Sequence, residues 1–281
     1  MTVLVTGATG RVGRHIVEQL LESGRPVRAL TRDPDRADLP DGAEVAAGDL
    51  TDPGTLTDAL DGAEAMHLIA FGDDRYTPLA TAPEVAARAA RAGVRRFTVL
   101  TGTDAELVAL RAVEATGAAW THVRPTEFMA NALFWAGTIG TDGSVRAPFG
   151  GPRHAMVHEG DVAAVAVSAL LDASHAGRTY RPTGPEALSR ADVVRAIGTA
   201  LGRELRFVEL TEAQGRAQLC DAGFTDDVVE AIVDYGRNPP AEATTVLPTV
   251  AQVTGRPPRT FARWAEEHAD AFRALTSGRR A

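Results

Sequence analysis

The stretch TGATGRVG, residues 6–13, decides the reading of this 281-residue chain. Gly7, Gly10 and Gly13 stand three apart between an apolar run (Val3, Leu4, Val5) and a helical pattern (Val12, Ile16, Val17, Leu20, Leu21). That is how a strand of a parallel sheet turns into its first helix. In such a turn the first glycine permits the tight bend, the second lets the backbone approach a diphosphate, and the third lets the helix pack closely on the strand. The main-chain N–H groups near Arg11 and Val12 then face an anion where the helix dipole favours one. A purely structural turn is the weaker reading, because the glycines follow immediately on a strand.

Working outward, apolar runs at 2–6, 26–30, 43–47, 65–71, 96–101 and 119–124 alternate with helical patterns near 11–23, 53–61, 83–93 and 104–117. This alternation predicts βαβ units wound into a parallel sheet, an α/β doubly wound (Rossmann) class. Asp52 is placed to cap a helix start, and Gly93 and Gly117 to end helices. Beyond Thr126 the texture changes. Residues 138–154 read as glycine-rich loop, 161–172 as a small-residue helix with Asp161 as its N-cap, and 178–182 as a strand. From 184 onward the pattern is mostly helical: Ser189 opens 190–201, residues 205–210 alternate as a strand, Thr211 with Gln214 has capping-box spacing for 212–222, and helices near 225–236 and 258–274 follow. The expected organisation is a dinucleotide-binding domain of residues 1–126 plus 156–183, and a smaller, mostly helical substrate lobe of 127–155 plus 184–281, with the cleft between them as the substrate site.

Composition narrows the function. A formal charge of −8 argues against a nucleic-acid partner, whose phosphates need a basic surface. All 29 basic residues are arginine, so no lysine is present to form a Schiff base, relay a proton or anchor a ribose. The seven histidines show no metal-ligand spacing, and no metal is expected. The single Cys220 makes no internal bridge and is expected to be buried as a small hydrophobe on a helix. With no apolar run of membrane-spanning length, the expectation is a cytoplasmic monomer or homodimer that acts on a small molecule and engages no membrane.

The end of the second strand, RALTRDPDR, reads the adenosine ribose in a dinucleotide fold. Arg32 offers a planar fork to a 2′-phosphate, with Arg28 or Arg36 in support, which predicts NADPH; Asp33 on a 2′-hydroxyl is the competing reading. Asp49 after the third strand is placed to accept from the adenine amino group, with Leu50 on the ring.

TGATGRVG, the GDLTD after the third strand, AGVRRFTVLT, WTHVRPTEFM and the late TGRPPRTFARWAEEHADAF together resemble the NmrA-like branch of the atypical short-chain dehydrogenases. The resemblance spans essentially the whole chain and implies a Rossmann core, NADP(H) binding, and members ranging from quinone and carbonyl reductases to nucleotide-sensing regulators. It implies cofactor contacts at Gly7, Ala8, Thr9, Gly10, Arg11, Val12, Arg32, Asp49, Leu50, Ala70, Phe71, Thr101 and Pro125, beside Gly13 of the turn.

The usual Ser/Thr, Tyr, Lys set of short-chain dehydrogenases is broken. Thr103 takes the Ser/Thr position, but the Tyr and Lys positions fall on Glu106 and Leu110. Leucine tunes nothing, and a glutamate with its ordinary pKa of about 4.3 has no proton to give at neutral pH. A quinone escapes this loss, because its reduced form has a pKa of about 10 and solvent can protonate it. The expected activity is therefore NADPH-dependent hydride transfer to a quinone or a conjugated or aromatic carbonyl. Thr103 would orient the acceptor oxygen, Glu106 or solvent would supply a proton, and Tyr76, Phe128, Trp135 and Phe149 would line the slot. Two other readings stay open: a non-catalytic NADP(H)-sensing regulator, and an enzyme whose acid–base work on an aromatic natural product has passed to His122, His154 or His158.

Overall fold

Near-continuous runs of β-branched and small apolar residues build the central sheet, and the glycine and capping signals between them set where each strand yields to a helix. The structure, a computed structural model, describes residues 1–72, 77–102 and 107–273. In chain order the elements are β1 (Thr2–Val5), α1 (Arg11–Glu22), β2 (Val27–Thr31), β3 (Glu44–Ala47), α2 (Thr57–Leu60), β4 (Ala63–Ile69), α3 (Ala82–Ala92), β5 (Arg96–Leu100), α4 (Leu107–Glu114), β6 (Ala119–Val123), α5 (Ala136–Asp142), β7 (Ser144–Ala147), β8 (Arg153–His154), α6 (Glu159–Leu171) and β9 (Arg178–Tyr180). There follow β10 (Leu188–Ser189), α7 (Arg190–Leu201), β11 (Arg206–Glu209), α8 (Glu212–Asp221), α9 (Asp226–Arg237), α10 (Ala241–Thr244), α11 (Thr249–Thr254), α12 (Phe261–Glu267) and α13 (Ala269–Arg273).

Seven parallel strands form one sheet in the order β3-β2-β1-β4-β5-β6-β9. The order reverses between β1 and β4, and such a switch point opens a crevice at the carboxyl ends of the strands. Leu4, Leu30, Met66, Leu68, Phe97 and Val99 point to one face, into a core closed by α2, α3 and α4. The other face carries α1 and α6. Nearly every residue of α6 is buried, and its small side chains let it pack against both the sheet and α1, where Gln19 Nε2 donates to Gly160 O at 2.9 Å.

The chain divides into two compact units. The first comprises Met1–Pro125, Glu159–Pro182 and Thr249–Arg256; the second comprises Thr126–His158, Thr183–Pro248 and Pro257–Ala281. Residues 249–256, which the sequence pattern groups with the smaller lobe, belong to the first unit because α11 packs on α6. In the second unit, α7, α12 and α13 enclose Phe261, Trp264 and Phe272, all fully buried.

Several sequence expectations need correction. The glycine-rich run 138–154 is not plain loop: it holds part of α5 and also β7 and β8, which pair with β11 and β10. Asp161 is not an N-cap but a buried residue of the first turn of α6, which starts at Glu159. Cys220 is exposed, because α8 has no apolar stripe and buries only Gly215. The capping boxes at Ser189/Asp192 and Thr211/Gln214 and the Asp52 cap are present.

Candidate dinucleotide-binding site

The site grows from the pairing of β1 with β4. Just past the end of β1, the fully buried Thr6 continues the ladder with its side chain: its hydroxyl donates to His67 O at 2.9 Å and accepts from Ile69 N at 3.0 Å. This clamp holds the start of the glycine turn at the switch point. Gly7 has φ +61°, a conformation that costs a residue with a Cβ about 1–2 kcal/mol, and an added Cβ would stand 3.0 Å from Ile69 Cγ2. A Cβ on Gly13 would overlap the Gly7 carbonyl oxygen and lie 2.7 Å from its carbon, so α1 could not start where it does. Gly10 is the N-cap and has no side chain to satisfy the helix amides. With Gly10 exposed between the exposed Thr9 and Arg11, and Ala8 and Val12 buried, the turn presents the Gly10 backbone at a twelve-residue helix's positive end. These residues fit a diphosphate: the glycines let the turn fold tightly against the start of α1 and against Ile69, and the helix amides supply the donors.

At the end of β2, Arg32 is exposed, and Asp33 faces Arg36 at 4.0 Å. Arg28 gives no support there. It points to the far side, where its Nε donates to Glu44 at 2.8 Å and its Nη1 to Ala59 O at 2.9 Å and Asp61 O at 2.6 Å. Asp49, after β3, accepts from Thr51 N and Thr51 Oγ1, each at 2.8 Å, through Oδ1 alone. Leu50 is buried in the core, with its carbonyl accepting from Thr81 Oγ1.

At the ends of β4, β5 and β6 stand Ala70, Phe71, Thr101 and Pro125. Ala70 is fully buried, and the half-buried Phe71 bridges to Pro78. Thr101 is locked by a 2.5 Å hydrogen bond with His122 Nε2. Burial, with Arg124 and Arg181 adding repulsion, pushes the His122 pKa down to about 4, so this ring is a neutral structural partner at physiological pH rather than an acid. Deeper still, His67 Nδ1 bonds to Thr98 Oγ1 at 2.8 Å, and burial lowers its pKa to about 3. Tyr76, Thr103 and Glu106 lie outside the described residues.

In the second unit, Phe128 bridges to Val157, Trp135 packs against the Trp264 core, and Phe149 has a positive φ of 57°. Phe134 is exposed. Of the two histidines read as candidates here, His158 is tied to Glu267 at 2.9 Å. His154 Nδ1 lies 2.9 Å from Glu127 Oε2 and its ring stands 5.5 Å from that of Tyr235. Sequence reasoning missed Thr6, Glu127 and Tyr235. No local pattern marks them, since each acquires its role only through a strand or helix distant in the chain.

A doubly wound parallel sheet with a glycine-rich turn at its switch point defines a dinucleotide-binding protein. Residues 7–109 match an NAD(P)H-binding family model. Over 96% of its length the chain is 41% identical to a (4-alkanoyl-5-oxo-2,5-dihydrofuran-3-yl)methyl phosphate reductase of Streptomyces griseus, covering 99% of that protein. It is 37% identical to an NAD(P)H azoreductase of Xenophilus azovorans, over 97% of this chain and 99% of that protein. Its fold matches the NADPH complex of an NADPH-dependent quinone oxidoreductase from Escherichia coli with a TM-score of 0.78, at 23% identity, over 94% of this chain and 99% of that one. The chain belongs to the NAD(P)H-binding family that these relatives share.

Proposed function

We propose that this protein is an NADPH-dependent reductase whose acceptor is a quinone or a similarly conjugated or aromatic carbonyl. The observation that carries the reading is the turn in which Gly7 and Gly13 leave no room for a Cβ, beside a chain with no lysine to complete the usual proton-donating set. Bound NADPH supplies a hydride. The amides of Arg11, Val12 and Gly13 hold its diphosphate, Arg32 takes the 2′-phosphate, and Asp49 takes the adenine amino group through Oδ2. Thr101, pinned by His122, and Pro125 shape the ends of β5 and β6, and Thr103 orients the acceptor oxygen. Phe128, Trp135 and Phe149 supply apolar surface for a flat acceptor. A quinol product needs no tuned acid, which is why loss of the Tyr and Lys pair is compatible with turnover. Two relatives that the chain matches over nearly its whole length, named as an NAD(P)H azoreductase and as a (4-alkanoyl-5-oxo-2,5-dihydrofuran-3-yl)methyl phosphate reductase, support this reading.

The test is NADPH oxidation followed at its absorbance with a panel of benzoquinones, naphthoquinones and azo dyes. Turnover with at least one quinone is expected. Tight NADPH binding with no oxidation across the panel would overturn the reading in favour of a nucleotide sensor.

A further inference from the structure

Polar atoms buried without a partner are scarce in native proteins, and each asks for a ligand or a function. In the second unit three such atoms converge: Glu127 Oε2, His154 Nδ1 and the Tyr235 hydroxyl, none of which makes an aligned hydrogen bond. Glu127 and His154 approach to 2.9 Å, an ion-pair distance, yet their geometry leaves both unsatisfied. His154 is only 6% exposed.

The framework around these groups is rigid. Val157 N donates to Glu127 O at 2.8 Å, and Met129 N to Val157 O at 3.0 Å, which fixes the Glu127 backbone. His154 pairs with Leu188, and its neighbour Ala155 N donates to Ala243 O at 2.8 Å. Tyr235 rides on α9, whose Val229 and Val233 are buried. The next residue, Gly236, is where Phe149 presses in: a Cβ there would stand 2.8 Å from Phe149 Cδ2. Phe149 itself holds a left-handed backbone conformation, strain of a kind that gathers at binding sites. Its segment is clamped by Arg190, whose Nη1 donates to Pro148 O at 2.6 Å, and by Glu209, which accepts from Gly150 N at 3.0 Å. Arg190 also lies in the field of Glu127 and Glu209.

The three groups prescribe a ligand. Burial and the Glu127 carboxylate raise the Tyr235 pKa, so its hydroxyl stays protonated and acts as a donor. The carboxylate can only accept. A group with a hydroxyl beside a carbonyl satisfies both, the hydroxyl donating to Glu127 and the carbonyl accepting from Tyr235. An anionic group would meet the charge of Glu127. We propose that Glu127, His154 and Tyr235 form a binding site for a neutral hydroxyl-bearing carbonyl group, the polar end of a hydroxylated quinone or related acceptor; the identity of that ligand as the acceptor rests on the reductase reading above.

The experiment is calorimetric titration at neutral pH of the NADP⁺-saturated protein, which cannot turn over, with a naphthoquinone whose hydroxyl is phenolic, on the benzenoid ring beside a carbonyl and therefore protonated, and with its methyl ether. The native protein binds the hydroxyl compound about tenfold more tightly than the ether, the effect of one hydrogen bond to a charged group. Glu127→Gln removes that preference, and Tyr235→Phe weakens both ligands about tenfold. The Glu127 carboxylate already faces the Tyr235 hydroxyl, so affinity rather than Tm is the readout. Equal affinity of Tyr235→Phe and the native chain for the ether overturns the proposal, because a merely structural hydroxyl would leave ligand affinity unmoved. So does an undiminished preference in Glu127→Gln, or no binding of either compound by the native protein. Binding as described, with no NADPH oxidation by the bound quinone, would reject the reductase reading and leave the site standing.

Discussion

Acidification should unfold the first unit through two buried imidazoles. In the folded chain His67 takes a proton only near pH 3 and His122 only near pH 4, whereas each does so near 6.5 when unfolded. Between those limits the unfolded state holds more protons, so stability is complete above about pH 6.5 and falls as pH falls. At pH 5 each histidine costs about 2 kcal/mol relative to pH 8, about 4 kcal/mol for the pair, from 1.36 kcal/mol per pKa unit. That is a large share of the 5–15 kcal/mol by which a typical domain is stable. Carboxylates act in a lower window. Asp192, held near 2 by hydrogen bonds from Ser189, gives up its contribution only as pH drops below its ordinary 3.8. The assay is urea unfolding at pH 8 and pH 5, read by hydrogen exchange of the β4 and β5 amides, with His67→Gln alongside. The native chain should lose about 4 kcal/mol and the variant about 2 kcal/mol. Equal losses in both would refute the claim that His67 is buried in its neutral form.

Gly13→Ala should weaken NADPH binding at least tenfold in calorimetry, with far-ultraviolet circular dichroism unchanged, because overpacking against the Gly7 carbonyl costs about 1–3 kcal/mol at the turn itself. Arg32→Ala should weaken NADPH by a factor of about ten or more and NADH by less than about threefold; equal losses would reject the 2′-phosphate contact. Thr6→Val should cost about 1–3 kcal/mol in urea titration, since Ile69 N loses its buried acceptor.

The sheet was legible because its signals are local. Continuous apolar runs located β1 to β6, glycines with positive φ ended helices as at Gly93, and serine or threonine opened α7 and α8. What escaped is non-local. The strands β7 and β8 are four and two residues long and exist only because β11 and β10, some distance on in the chain, pair with them. Arg28 looked like a ribose ligand by proximity in sequence, but its alternation within β2 turns it toward Glu44. His122 looked like a candidate acid, and burial beside two arginines made it a neutral brace for Thr101. Tyr235 follows the buried Val233 by two residues and stands off the Val229–Val233 stripe of α9, so no helical pattern marks it; only the approach of Glu127 and His154 gives its hydroxyl meaning.

The first unit is stitched from three separated stretches of chain, the last of them the short α11 seated on α6. A single recombination crossover near residue 126 would therefore import a foreign α6, β9 and α11 along with a new lobe, and the imported helix would have to mesh with the resident α1. Laboratory shuffling must therefore splice at 126, 158, 183, 248 and 257 together to move the second unit whole.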